Sequence, residues 1–121
     1  MKKVLIIDDT EANRKTAGDA LKASGYDVID AEDGTEGVYL AKKMTPDLIL
    51  LDLAMPDVDG IEACRQIRAI GSLKEVPIVM LSAMGDNKLI EIAKAAGAND
   101  YIVKPVIPSK LIEVVRKYLK Q

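Results

Sequence analysis

The sequence predicts an α/β domain of five βα units, doubly wound on a five-stranded parallel sheet. Three observations carry this. Short aliphatic runs recur along the 121 residues. Stretches of helical periodicity fill the intervals between them. Four of the five runs are apolar throughout, as strands covered on both faces are. Strands alternating with helices imply right-handed crossovers that place helices on both sides of the sheet. The pattern occupies residues 1–121 as one domain, and a chain of this size buries roughly two-thirds of its unfolded surface in a single core.

Each element has its own signal. The first strand is Val4–Ile7. The first helix, roughly Glu11–Ser24, is the weakest: its stripe is only Ala17, Ala20 and Leu21, and Gly18 costs about 1 kcal/mol relative to Ala. Asp27–Ala31 is a more polar run and suits an edge strand. Asp33 followed by Glu36 has the capping-box spacing for the second helix. Leu48–Leu51 is the third strand, and Asp59 caps a helix marked by Ile61, Cys64 and Ile67. Ile78–Leu81 is the fourth strand. Leu89, Ile92, Ala93 and Ala96 mark the helix after it, with Gly97 placed to end it. Tyr101–Val103 is the fifth strand. The last helix has Pro108 in its first turn, and Leu111, Val114, Val115, Tyr118 and Leu119 form one buried stripe.

Composition narrows the function. With no Phe or Trp and four Tyr, the core is aliphatic. Net charge is -2 and the cations form no block, so direct nucleic-acid binding is not expected. The single Cys64 excludes an internal disulfide and suits a reducing compartment. The opening apolar run stops after Ile7, too short for a signal peptide or a membrane span. The reading is a soluble cytoplasmic protein with no membrane partner.

Open parallel sheets bind ligands beyond the carboxyl ends of their strands. Asp8 and Asp9 follow the first strand and Asp52 ends the third. Ser82 follows the fourth, and Lys104 and Pro105 follow the fifth. Three carboxylates at one rim repel unless a cation joins them. Mg2+ takes one or two carboxylates plus water and phosphate oxygens, and a carboxylate is a covalent acceptor of phosphoryl groups. Lys104 and the metal would neutralise the transferring group while Ser82 donates a hydrogen bond to it. Singly these residues are bland: an Asp pair caps a helix, Asp52 is a solvated loop acid, Lys104-Pro105 is a turn. The argument lies in their falling at strand ends one, three, four and five in order.

The residues Val4-Leu5-Ile6-Ile7-Asp8-Asp9, Pro46-Asp47-Leu48-Ile49-Leu50-Leu51-Asp52, Met55-Pro56-Asp57-Val58-Asp59-Gly60, Pro77-Ile78-Val79-Met80-Leu81-Ser82-Ala83 and Gly97-Ala98-Asn99-Asp100-Tyr101-Ile102-Val103-Lys104-Pro105 resemble the CheY-like receiver family of response regulators over the whole chain. That resemblance implies a flavodoxin-like sheet in the order 2-1-3-4-5. It implies that Asp52 is the phosphoacceptor, that Asp9 ligates Mg2+ directly and Asp8 mainly through water, and that the Ala54 backbone carbonyl is a further ligand. Lys104 would pair with the phosphoryl group, across a cis Lys104-Pro105 bond. Ser82 and Tyr101 would form a switch remodelling the surface of the fourth helix, fifth strand and fifth helix, where a downstream protein docks.

The chain contains 0 His, so the phosphoryl group comes from outside. The resemblance implies a histidine kinase or histidine phosphotransfer protein as donor, docking near the first helix, where Thr16-Ala17-Gly18 permit close approach or simply pack on the sheet. The expected state is a monomer or weak dimer, either a stand-alone receiver or part of a longer chain. Ala54 and Met84 are apolar where some relatives carry polar residues, so slow loss of the phosphoryl group is expected. A haloacid-dehalogenase-like phosphatase needs an Asp where Thr10 stands. A flavin carrier needs a Ser/Thr/Gly-rich loop where Asp8-Asp9 stand. A phosphorylation-independent interaction module commonly lacks an acid or the lysine, all of which are kept here. The expected role is signalling rather than enzymatic turnover.

Overall fold

The computed structural model describes residues 1–55, 58–83, 85 and 87–119. Its elements alternate as β1 (Lys3–Ile7), α1 (Glu11–Ala23), β2 (Asp27–Ala31), α2 (Gly34–Met44), β3 (Leu48–Asp52), α3 (Gly60–Arg68), a short 3-10 turn (Gly71–Leu73), β4 (Ile78–Ser82), α4 (Asn87–Ala95), β5 (Asp100–Val103) and α5 (Pro108–Tyr118). The strands form one parallel sheet in the order β2-β1-β3-β4-β5.

Alternation along the strands divides the core. Leu5, Ile7, Ile49, Leu51, Ile78 and Met80 face one side with Ala41, Ala63, Cys64, Ile67 and Ala93 of α2, α3 and α4. Val4, Ile6, Leu48, Leu50, Val79 and Leu81 face the other with Ala17, Leu21, Leu111 and Val115 of α1 and α5. Each Val, Leu, Ile or Met side chain among them contributes roughly 1.5–3 kcal/mol on burial.

Several expectations shift in detail. β2 and β5 are the edges, as the expected order requires, but Val103, in a run apolar throughout, is half exposed. In α4, Ala93 is buried but Ile92 is exposed, so the stripe is narrower than the spacing suggests. In α5, Leu111, Val115 and Leu119 are buried, while Val114 and Tyr118 are only partly so. The capping box is half formed: Asp33 accepts from the Glu36 amide at 2.8 Å, but the Glu36 carboxylate takes the Glu32 amide. Asp59 caps α3 as expected, accepting from the Glu62 amide.

Candidate functional site

Strand register brings the predicted residues to one rim. Asp52 is the last residue of β3 and pairs with Leu81. Ser82 ends β4 opposite Val103, and the next amide, Lys104 N, donates to Ser82 O at 2.7 Å. Asp8 continues β1, its amide donating to Ala31 O at 3.1 Å. Two of the acids thus extend the apolar ladders and are buried with them: Asp8 is 0% exposed and Asp52 3%. Ser82 is buried as well, whereas Asp9, one residue beyond Asp8, is exposed.

Lys104 ties these groups together. Its ammonium lies 3.1 Å from Asp52 Oδ1 and 3.2 Å from Asp8 Oδ2. Burial works against that charge, but Asp52 and Asp8 outweigh it and hold Lys104 above the ordinary lysine pKa. Burial, together with the Asp8 charge, pushes Asp52 up to about 6 despite the opposing pull of Lys104. Asp8 Oδ1 accepts from the Thr10 amide at 2.9 Å, and the Ala54 amide points at Asp52 Oδ1 at 3.4 Å. The Lys104–Pro105 bond is cis.

One carboxylate oxygen from each of Asp8, Asp9 and Asp52 lies within 4.8 Å of the others. Among the described residues, one cation against three acids leaves negative charge over, and an all-oxygen set with an exposed member matches a hard divalent cation that keeps some of its water. The residues present therefore fit Mg2+. Beside them a cavity of about 480 Å3 opens between α1 and the segment after β5, lined by Asp8, Thr16, Ala17, Lys104, Pro105 and Val106 among others.

Of the remaining candidates, Tyr101 is half-buried against the aliphatic cluster under α2, α3 and α4. Ala54 is exposed next to the site. Met84, with Pro56 and Asp57 of the quoted segments, lies outside the described residues. Thr16 is exposed and lines the cavity, but Gly18 is buried and faces Val28 and Ile6, so it belongs to sheet packing. Two contacts have no signal in residue patterning. Gly60 packs directly on the backbone of Asp52, and Arg14 Nη1 donates to the Asp8 carbonyl at 2.7 Å.

A family model described as the response regulator receiver domain matches residues 4–116. The chain is 40% identical over 98% of its length to a probable transcriptional regulator, ycf27, of Porphyridium aerugineum, and spans 48% of that protein. It is 37% identical to the chemotaxis protein CheY of Bacillus subtilis, covering 97% of each. The chain therefore spans about half the length of some curated relatives and nearly all of others. Among solved structures it matches the receiver domain of the sensor histidine kinase PA1611 from Pseudomonas aeruginosa, described with a magnesium ion coordinated in its active-site cleft. The TM-score is 0.91 at 31% identity, covering 99% of this chain and 98% of that one.

Proposed function

The chain belongs to the response regulator receiver domain family, and from that membership we propose that Asp52 is its phosphoacceptor, working with Mg2+ held by Asp8, Asp9, Asp52 and the Ala54 carbonyl. Receiver domains are phosphoacceptors of two-component systems and not turnover enzymes. The observation that carries the assignment is the bridge by one ammonium, at 3.1 and 3.2 Å, of two buried carboxylates from different strands. Such an arrangement lacks a structural rationale in an aliphatic core, where burying charge is unfavourable, and it suits a site built to meet a phosphate.

A carboxylate oxygen of Asp52 attacks phosphorus; the P–N bond of a donor phosphohistidine breaks, and the imidazole regains a proton from solvent. Lys104 shifts from the carboxylates toward the phosphoryl oxygens, and Ser82 donates its hydroxyl to one of them. Mg2+ held by Asp8, Asp9, Asp52 and the Ala54 carbonyl would supply charge neutralisation to the transferring group. The reaction replaces the charge balance at the rim, and Ser82 and Tyr101 pass that change to the surface of α4, β5 and α5, where a downstream protein docks. The donor, a histidine kinase or histidine phosphotransfer protein, approaches over α1, whose Thr16 lines the same cavity as Asp8 and Lys104. Residues 1–121 act as one cytoplasmic receiver domain, monomeric or weakly dimeric; no described helix is long and apolar enough to cross a membrane.

The test is covalent trapping. After reaction with a phosphohistidine donor and Mg2+, borohydride reduction should convert Asp52 to homoserine, located by peptide mass. Conversion at another acid would contradict the assignment.

A further inference from the structure

We infer that Arg14 is a positioning residue for the divalent-cation site, anchoring to β2 the peptide that carries Asp9. The inference rests on the Mg2+ reading above. Arg14 lies one turn into α1. Its Nη1 donates to the Asp8 carbonyl at 2.7 Å, and its Nε to Asp30 Oδ2 at 3.2 Å. The arginine side chain is only 14% exposed although Asp30 is 59% exposed. The guanidinium thus links two segments, with Nη1 on the β1–α1 turn and Nε on the edge strand β2.

The Asp8 carbonyl and the Asp9 amide belong to one planar peptide unit. A hydrogen bond at 2.7 Å on that carbonyl fixes the rotation of the whole plane, and so the direction in which Asp9 leaves it. Asp9 needs this because its own side chain is exposed. The helix start gives little help: Thr10, at the N-cap of α1, makes no side-chain cap hydrogen bond. The turn is otherwise held by Asp8 N on Ala31 O, which fixes Asp8, and by Thr10 N on Asp8 Oδ1, which fixes the peptide after Asp9 and leaves the peptide before it to Arg14. Asp30 sets the aim of the guanidinium, whose rigid fork serves two acceptors where a lysine serves one.

Charge and geometry predict opposite signs, so the idea is testable. Arg14 places a positive charge beside a cation site; if charge were its main effect, removing it would tighten Mg2+ binding. If positioning dominates, removal weakens binding. Mg2+ affinity is measured by calorimetry on the wild type, Arg14→Met, Arg14→Lys and the solvent-exposed Asp30→Asn. Thermal midpoints and hydrogen exchange of the Thr10 amide are followed in parallel. Loss of a partner behind a metal ligand typically weakens affinity about 10- to 100-fold, and the low end of that range is expected for Arg14→Met, with faster Thr10 exchange. Arg14→Lys should lose affinity despite its kept charge, and Asp30→Asn should lose less, in the same direction. Equal or tighter binding in Arg14→Met, or in Asp30→Asn should Arg14→Met fail to fold, overturns the inference and leaves the metal reading standing. A wild type that binds no Mg2+ overturns both.

Discussion

The Lys104 ammonium stands 3.1 Å from a carboxylate oxygen of Asp52, a side chain only 4% exposed. The same nitrogen holds Asp8, so one cation balances two buried acids from different strands. Removing one partner of a buried pair leaves the other uncompensated. Lys104→Met is expected to lower stability by about 1–3 kcal/mol at pH 7 without divalent cation, the low side of that principle because two acids can share a proton. Added Mg2+ should narrow the gap. Urea denaturation with and without Mg2+ checks this; an equally stable variant would contradict it.

Asp52 supplies the pH dependence. Its pKa of about 6 in the folded chain lies above the ordinary 3.8. The folded state therefore holds this proton to higher pH than the unfolded state does. The stabilising contribution is complete below about pH 4 and is lost as pH rises through about 6. Asp52→Asn removes the burden of the buried charge and should be more stable than wild type at pH 7.5, by about 1–3 kcal/mol on the scale of 1.36 kcal/mol per unit. The difference should shrink toward pH 5. Denaturation midpoints of both proteins at the two pH values, without divalent cation, decide it; a pH-independent difference would count against the buried-charge account.

Two glycines should respond with opposite signs. A Cβ on Gly60 would sit 2.4 Å from Asp52 O and 2.6 Å from Leu53 Cα, which are backbone atoms unable to swing aside. Gly60→Ala should cost about 1–3 kcal/mol, as overpacking does, and should slow phosphorylation by shifting the turn after Asp52. A Cβ on Gly18 would meet Val28 and Ile6 at 3.7 and 3.9 Å, ordinary contact inside a helix. Gly18→Ala should therefore stabilise the protein by about 0.5–1 kcal/mol. Thermal unfolding of both variants reads the contrast.

At the opposite end of the sheet Arg68 works as a clasp. It donates to the carbonyls of Leu73, Val76 and Gly97 at 2.9, 2.6 and 3.0 Å and to Asn99 Oδ1 at 2.7 Å. Asn99 Oδ1 also accepts from the Ile78 amide, where β4 begins. Burial pulls the Arg68 pKa down, but these acceptors are local and fixed. Gly97, at φ +117, leaves room for the side chain: a Cβ there would meet Arg68 Cγ at 2.6 Å. Arg68→Met is expected to cost about 2–3 kcal/mol through carbonyls left without a donor. Labelling per folded molecule should be unchanged, since the clasp lies far along the strands from Asp52. Urea denaturation paired with phosphorylation rates would show the separation.

The strand ends were legible in the sequence because each apolar run stops at a charged or hydroxyl residue, and parallel pairing then lines those stops up. Asp52, Ser82 and Lys104 could be read that way. The double pairing of Lys104 could not, since it depends on how far β1 and β5 extend. Arg14 reads as a surface cation on a helix, and its reach to the Asp8 carbonyl appears only once β2 lies beside the turn. Val103 reads as a core residue because the apolar run is continuous, yet it is half exposed where β5 ends. Gly60 carries no periodic signal, as close backbone approach is a property of two segments.

The most direct test of the account is intact-mass analysis after incubation with acetyl phosphate. Wild type with Mg2+ should gain a single phosphoryl group and little or none under chelation, and Asp52→Asn should gain none in either condition. Equal labelling of wild type and Asp52→Asn would contradict the assignment of Asp52 as the phosphoacceptor.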